Sequence, residues 1–76
     1  MRKGWEYGGD DMREAGMRLR RAASGRGMSM AALARKSGVS VNSVMGYARG
    51  DAAPSVYYAI AMAHALGVSV EDVWGR

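Results

Sequence analysis

The chain has no cysteine and a single histidine among its 76 residues. A disulfide framework and a cysteine-based zinc site are therefore excluded, and so is a metal site built from clustered histidines. The lack of cysteine fits a reducing compartment. Long apolar runs are also missing. The longest apolar stretch, Val56 to Leu66, is broken by His64 and falls well short of the roughly 20 residues that span a bilayer. Residues 1–11 begin with Arg2 and Lys3 but carry no apolar run behind them, so they do not form a secretory leader. No segment alternates apolar and polar residues between turn signals, and no sheet is expected. A chain of this length makes one domain with a small core. The expectation is a soluble, cytoplasmic protein with no cofactor, no metal, no membrane partner and no evident small-molecule ligand.

Acids are scarce where bases are dense. Residues 12–50 carry eight Arg or Lys against one acid, Glu14, a net +7; residues 1–11 sum to −1 and residues 51–76 to −2, giving +4 overall. A segment this basic attracts polyanions through counterion release. The same charge can serve as a solvated face that keeps a small domain soluble. Charge alone leaves both readings open.

The order of stop and start signals is more informative. Residues 1–10 are glycine-rich and aperiodic and read as a flexible arm, although Trp5 and Tyr7 suggest that part of it packs. Residues 11–76 read as the folded domain. Asp10 or Asp11 can cap a first helix that runs to about Ser24, with an inward stripe of Ala15, Leu19 and Ala22. Gly25 and Gly27 end it. Ser29 caps a second helix, Met30 to Lys36, which Gly38 ends. Ser40 caps a third, Val41 to Arg49, which stops at Gly50. The turn between these two, Ser37 to Ser40, is too short for antiparallel packing and suits a steep crossing. Ser55 caps a fourth helix, Val56 to Leu66, whose apolar face reads as Val56, Ala59, Ile60, Ala63 and Leu66, with Met62 at its edge and His64 outside. Gly67 ends it, and Ser69 opens a short fifth helix with Glu71 and Asp72 in its first turn, where the dipole favours acids. The fold class is all-α, with five short helices.

The functional signal lies in the second and third helices. A steep crossing needs a small residue where the helices touch, a glycine at the turn and a branched apolar residue facing back. Ala34, Gly38 and Val44 supply these, with Leu33 and Tyr47 filling the space beneath. The third helix then keeps Val41, Asn42, Met45, Gly46 and Arg49 outside the core, with Ser43 at the boundary. An exposed helix flanked by basic residues matches the width of the major groove.

These residues resemble the lambda-repressor-like helix-turn-helix family, the Cro and XRE type. The resemblance is carried by Met28 to Ala34, by Gly38-Val39-Ser40, Val44, Gly50 and Pro54-Ser55, and by Ala65 to Ser69. It covers about Arg18 to Trp74 and implies a compact five-helix domain that binds double-stranded DNA. It further implies that Ser40, Val41, Asn42 and Gly46 meet base edges or nearby phosphates, with Ser43 and Met45 beside them. Asn42 is suited to a bidentate contact with adenine and Val41 to a thymine methyl. Ser29, Met30, Arg26, Arg35 and Arg49 are assigned to the phosphates, which position rather than specify. Three departures stand out. Met30 replaces a usual glutamine, so any phosphate contact there falls to backbone amides. Gly46 has no side chain to read with. Ala23 and Ala48 replace an Arg–Glu pair, and loss of both partners together is tolerable.

The resemblance implies a transcriptional regulator, repressor-like and of the phage, mobile-element or antitoxin kind, acting as a homodimer. The alternative is a helix-turn-helix scaffold that binds another protein. Tyr57, Tyr58 and Trp74 then matter, as either a small dimer interface or part of the core. No catalytic constellation is present, since Gly25-Arg26-Gly27 is too short a signal for a nucleotide loop.

Overall fold

The computed structural model describes residues 9–75. Trp5 and Tyr7 lie outside the described residues. Five helices follow one another: α1 (Gly9–Gly25), α2 (Met30–Ser37), α3 (Val41–Arg49), α4 (Val56–Leu66) and α5 (Val70–Trp74). No strand occurs among the described residues, and no helix there is long and apolar enough to cross a membrane. α1 begins at Gly9, two residues before the expected domain start, a shift within the ordinary fraying of helix ends.

Local chemistry sets the boundaries. Ser29, Ser40, Ser55 and Ser69 each accept a hydrogen bond from the backbone N–H three residues on, at 3.0 to 3.2 Å. At Ser69 the arrangement is reciprocal, because its own N–H donates to the Asp72 carboxylate at 3.0 Å. Each cap satisfies an otherwise orphaned donor and contributes about 1 kcal/mol. The glycine stops are as specific. Gly38 and Gly50 have φ of 76° and 81°, a left-handed backbone that side chains resist.

The largest fully buried side chains are Leu19, Leu33, Val44, Met62, Leu66 and Val73, one or two from each helix. α1 lies across α3 and α5, while α2 packs between α3 and α4. The α1 stripe is inward at Ala15 and Leu19, but Ala23 rather than Ala22 is fully buried. Ala23 and Ala48 both line the apolar core, so the alanines that replace the family's ion pair leave no charge stranded there.

Two expectations are corrected. On α4 the buried face is Ala59, Met62, Ala63 and Leu66, joined by Ala65. Val56 and Ile60 are 62% and 51% exposed, and Met62 is completely buried. Helix periodicity alone could not separate these positions, since ten of the eleven residues from Val56 to Leu66 are apolar or tyrosine and only His64 marks the outside. The second correction concerns α2, which extends through Ser37. That hydroxyl donates to the Leu33 carbonyl at 2.7 Å, so the turn is one residue shorter than expected.

Candidate nucleic-acid interface

Gly38, Val39 and Ser40 join α2 to α3. The N–H groups of Gly38 and Val39 both donate to the Ala34 carbonyl, at 2.9 and 3.2 Å. This closes the end of α2 and turns the chain into α3. Val39 is buried beside Ala34 and Val44, which anchors the turn to the core. Its role was not legible locally, because one valine between a glycine and a serine carries no periodic signal. Leu33 and Val44 are fully buried and Tyr47 is half-buried against the same cluster, in the supporting positions expected of them.

α3 is also held from behind. A Cβ built on Gly16 of α1 would lie 2.4 Å from the Ala48 carbonyl oxygen and 2.7 Å from that of Tyr47. α1 and α3 therefore meet backbone against backbone. Gly50 repeats the device, since a Cβ there would lie 2.8 Å from the Arg13 Cα. Sequence reasoning missed Gly16. A glycine inside an amphipathic helix signals only a propensity cost, and its use as a contact point needs the partner helix in place.

With one side of α3 held, the other side is free. Val41, Asn42, Met45 and Arg49 are exposed, and Ser43 and Gly46 are half-buried. Nothing lies within 4 Å of a Cβ built on Gly46, so that position opens outward as a notch. Ser40 is occupied. Its hydroxyl accepts from the Ser43 N–H at 3.2 Å and donates to the Ser43 hydroxyl at 2.9 Å. A second lone pair remains on Ser40 for an incoming donor, while the Ser43 hydrogen is free to point outward.

The residues assigned to phosphate divide into distinct situations. Ser29 caps α2, and its hydroxyl is engaged by the Ala32 N–H. The Met30 side chain packs against the core, leaving only backbone amides to face an anion at this helix start. Arg35 and Lys36 are exposed on α2 with no acid in ion-pair range among the described residues. Arg49 donates from Nε to Asp51 at 2.8 Å. Both side chains are more than half exposed, and such a pair contributes little, so a phosphate can displace Asp51. The Arg26 guanidinium lies against Gly67, at the C-terminal end of α4. Arg18 is structural. It pairs with Glu14 and donates to the Gly75 carbonyl at 2.7 Å, tying α1 to the end of α5. Arg13 pairs with Asp10 on the surface of α1.

α4 carries a different surface. Tyr57 is 79% exposed, with Tyr58, Val56 and Ile60 open beside it. A shallow apolar groove lined by Ala53, Pro54, Val56, Ala59, Val70 and Trp74 runs between α4 and α5. Trp74 packs partly into the core, so of the three aromatic side chains only the tyrosines stand clear. Among the described residues no group of His, Cys, Asp or Glu is placed to hold a metal ion.

A family model described as "Helix-turn-helix" matches residues 17–73. No curated protein matches the sequence. Among solved structures, the restriction-modification controller protein C.AhdI from Aeromonas hydrophila is similar at 30% identity and a TM-score of 0.81, covering 84% of this chain and 97% of that one. The clp gene regulator ClgR from Corynebacterium glutamicum is 36% identical with a TM-score of 0.74, covering 82% of this chain and 67% of the other. The competence regulator ComR from Streptococcus vestibularis shares the fold, with a TM-score of 0.77 at 22% identity.

Proposed function

The chain belongs to the lambda-repressor-like helix-turn-helix family, and from that premise we propose that it is a repressor-type transcriptional regulator that reads duplex DNA in the major groove with α3. The family and its regulator relatives support DNA-binding transcriptional control rather than catalysis. The observation that carries the finer reading is the two-sidedness of α3. Val44 and Ala48 are buried in the core, while Val41, Asn42 and Met45 stand exposed within the basic part of the chain.

In this reading Asn42 sets specificity through a bidentate contact to adenine. Ser40, Ser43 and Gly46 lie where base edges or neighbouring phosphates pass. Ser29, the amide at Met30, Arg26, Arg35 and Arg49 hold the backbone, which positions α3 without reading sequence. One short helix covers few base pairs, so we propose a homodimer on two half-sites about one helical turn apart. The exposed apolar face of α4 is the surface that supports pairing. Such a regulator acts in the cytoplasm, and its function needs no cofactor.

Selection from a random duplex library at near-physiological salt, followed by sequencing, tests this. An inverted repeat is the expected product. Asn42→Ala should cost about 1–3 kcal/mol on the selected site and relax preference at one base pair. Arg49→Ala should weaken all sequences alike and lower the salt slope by about 1. Unchanged relative affinities in Asn42→Ala would remove the base contact. The exposed tyrosines of α4 also support a second reading, a protein-interaction module. Affinity for generic duplex that does not fall with salt would favour it.

A further inference from the structure

We infer that the N-terminal arm of the same chain docks in the apolar groove between α4 and α5, with Trp5 as the side chain that fills it. This docking is independent of the DNA-reading proposal. The groove has a volume of about 340 Å³, and Pro54, Val56, Val70 and Trp74 are among the residues that line it. Val56 is exposed and Trp74 packs only partly into the core, so apolar surface stays open to water there. Both ends of the groove are tied to α1. Ala53 and Pro54 follow closely after Gly50, which lies against the Arg13 backbone. Trp74 precedes Gly75, whose carbonyl accepts from Arg18. The groove therefore spans the level of α1 from Arg13 to Arg18.

The arm has the length and the chemistry for this place. It joins α1 at Gly9, and Trp5 lies four residues earlier. Four extended residues folded back alongside α1 cover about 13 Å, which is also about the helical rise from Gly9 to Arg18. Gly8 supplies the backbone freedom for that reversal. In an extended segment alternate side chains share a face, so Trp5 and Tyr7 point one way and Glu6 the other. An indole brings a large apolar area to bury and has only two side-chain torsions to fix. Charge agrees as well. Residues 1–8 carry Arg2 and Lys3 against Glu6, a net +1, while residues 51–76 sum to −2. Glu71 and Asp72 are exposed on α5, between the groove residues Val70 and Trp74 in sequence, and can meet Arg2 and Lys3. Exposed pairs of this kind orient the arm, and the indole supplies most of the affinity. Because Val56 also borders the open α4 face, a seated arm closes the groove to other occupants and leaves Tyr57 and Ile60 uncovered.

The test is nuclear magnetic resonance on the isotope-labelled full chain without DNA. Cross-peaks between the Trp5 indole and the Val56 and Val70 methyls are expected, and Trp5→Ala should shift those methyl resonances by removing the ring current. A mixture of labelled and unlabelled chains separates contacts within one chain from contacts between two. Thermal melting supplies the second readout. Trp5→Ala should lower the melting temperature by roughly 5 °C. The same substitution should have no effect in a Val56→Glu background, where a carboxylate occupies the groove. Val56→Glu itself stays folded, because the position is exposed and an acid suits the first turn of α4. Absent cross-peaks, with the Val56 and Val70 resonances unmoved in Trp5→Ala, overturn the docking. Cross-peaks found only between labelled and unlabelled chains overturn it as well, since the arm then belongs to a second copy. Contacts to Val70 from Tyr57 or Ile60 of a second copy, in place of Trp5, assign the groove to the dimer and overturn it too. Each of these results leaves the DNA reading where it stood, and a failure of the DNA reading leaves the docking intact.

Discussion

Helices α3 and α4 are built alike and used differently. Each has a serine N-cap and a left-handed glycine stop, and each buries one face and exposes apolar side chains on the other. On α3 the exposed residues sit among arginines and beside an amide. On α4 they are two tyrosines, a valine and an isoleucine, in a part of the chain where acids outnumber bases. The difference teaches that exposed apolar surface takes its meaning from its surroundings. With positive charge around it, it can face a polyanion; with slightly negative charge around it, the same kind of surface disfavours nucleic acid and suits protein.

The sharpest way to break this comparison is to remove what holds α3 in place while leaving α4 alone. Gly16→Val drives a side chain into the carbonyls of Tyr47 and Ala48. It should cost roughly 3 kcal/mol, seen as a fall in melting temperature of more than about 10 °C for a domain of this size. A melting temperature within a few degrees of wild type would show that α1 and α3 can separate at little cost. A comparable effect should come from α4 itself. Met62→Ala removes a fully buried side chain and should cost about 2–4 kcal/mol, whereas Ile60→Ser on the open face should change stability by no more than about 0.5 kcal/mol. The reverse order in a denaturant titration would restore the face expected from periodicity. Gly46→Ala sharpens the contrast within α3. Open space surrounds the position, so helix propensity alone acts and stability should rise by about 1 kcal/mol. If the notch admits DNA, the same variant binds its site more weakly although it melts higher. The smallest effect on folding is expected at Tyr57, 79% exposed. Tyr57→Ser should leave the melting curve unchanged and shift sedimentation equilibrium toward monomer; an unaltered association constant would remove α4 from the dimer surface.

How much was legible depended on contrast within each segment. α3 mixes polar and apolar residues, so its inward pair Val44 and Ala48 and its outward set separate cleanly. α4 lacks that contrast. Val56 and Ile60 are as apolar as Leu66, and a rotation of the helix by a fraction of a turn exchanges them with Met62 at no cost visible in the sequence. Serine caps and glycine stops were legible because they act within three or four residues of themselves. Pairing partners were not. Asp51 holding Arg49 spans only two positions, yet nothing in the composition says that the arginine turns toward it; Arg18 reaching the Gly75 carbonyl crosses 57 residues.

Gly16 and Gly46 mark the boundary between what the sequence alone determined and what only the tertiary structure decided. Both are glycines inside helices, with the same intrinsic cost and the same backbone. The helices, their ends, the short α2–α3 turn and the basic setting of α3 follow from local propensity, capping and charge, which are properties of neighbouring residues. Gly16 is irreplaceable because a carbonyl from another helix occupies the place of its missing side chain, and Gly46 is open because nothing does. That distinction is a matter of distance between segments far apart in the chain, and it exists only once the core has closed.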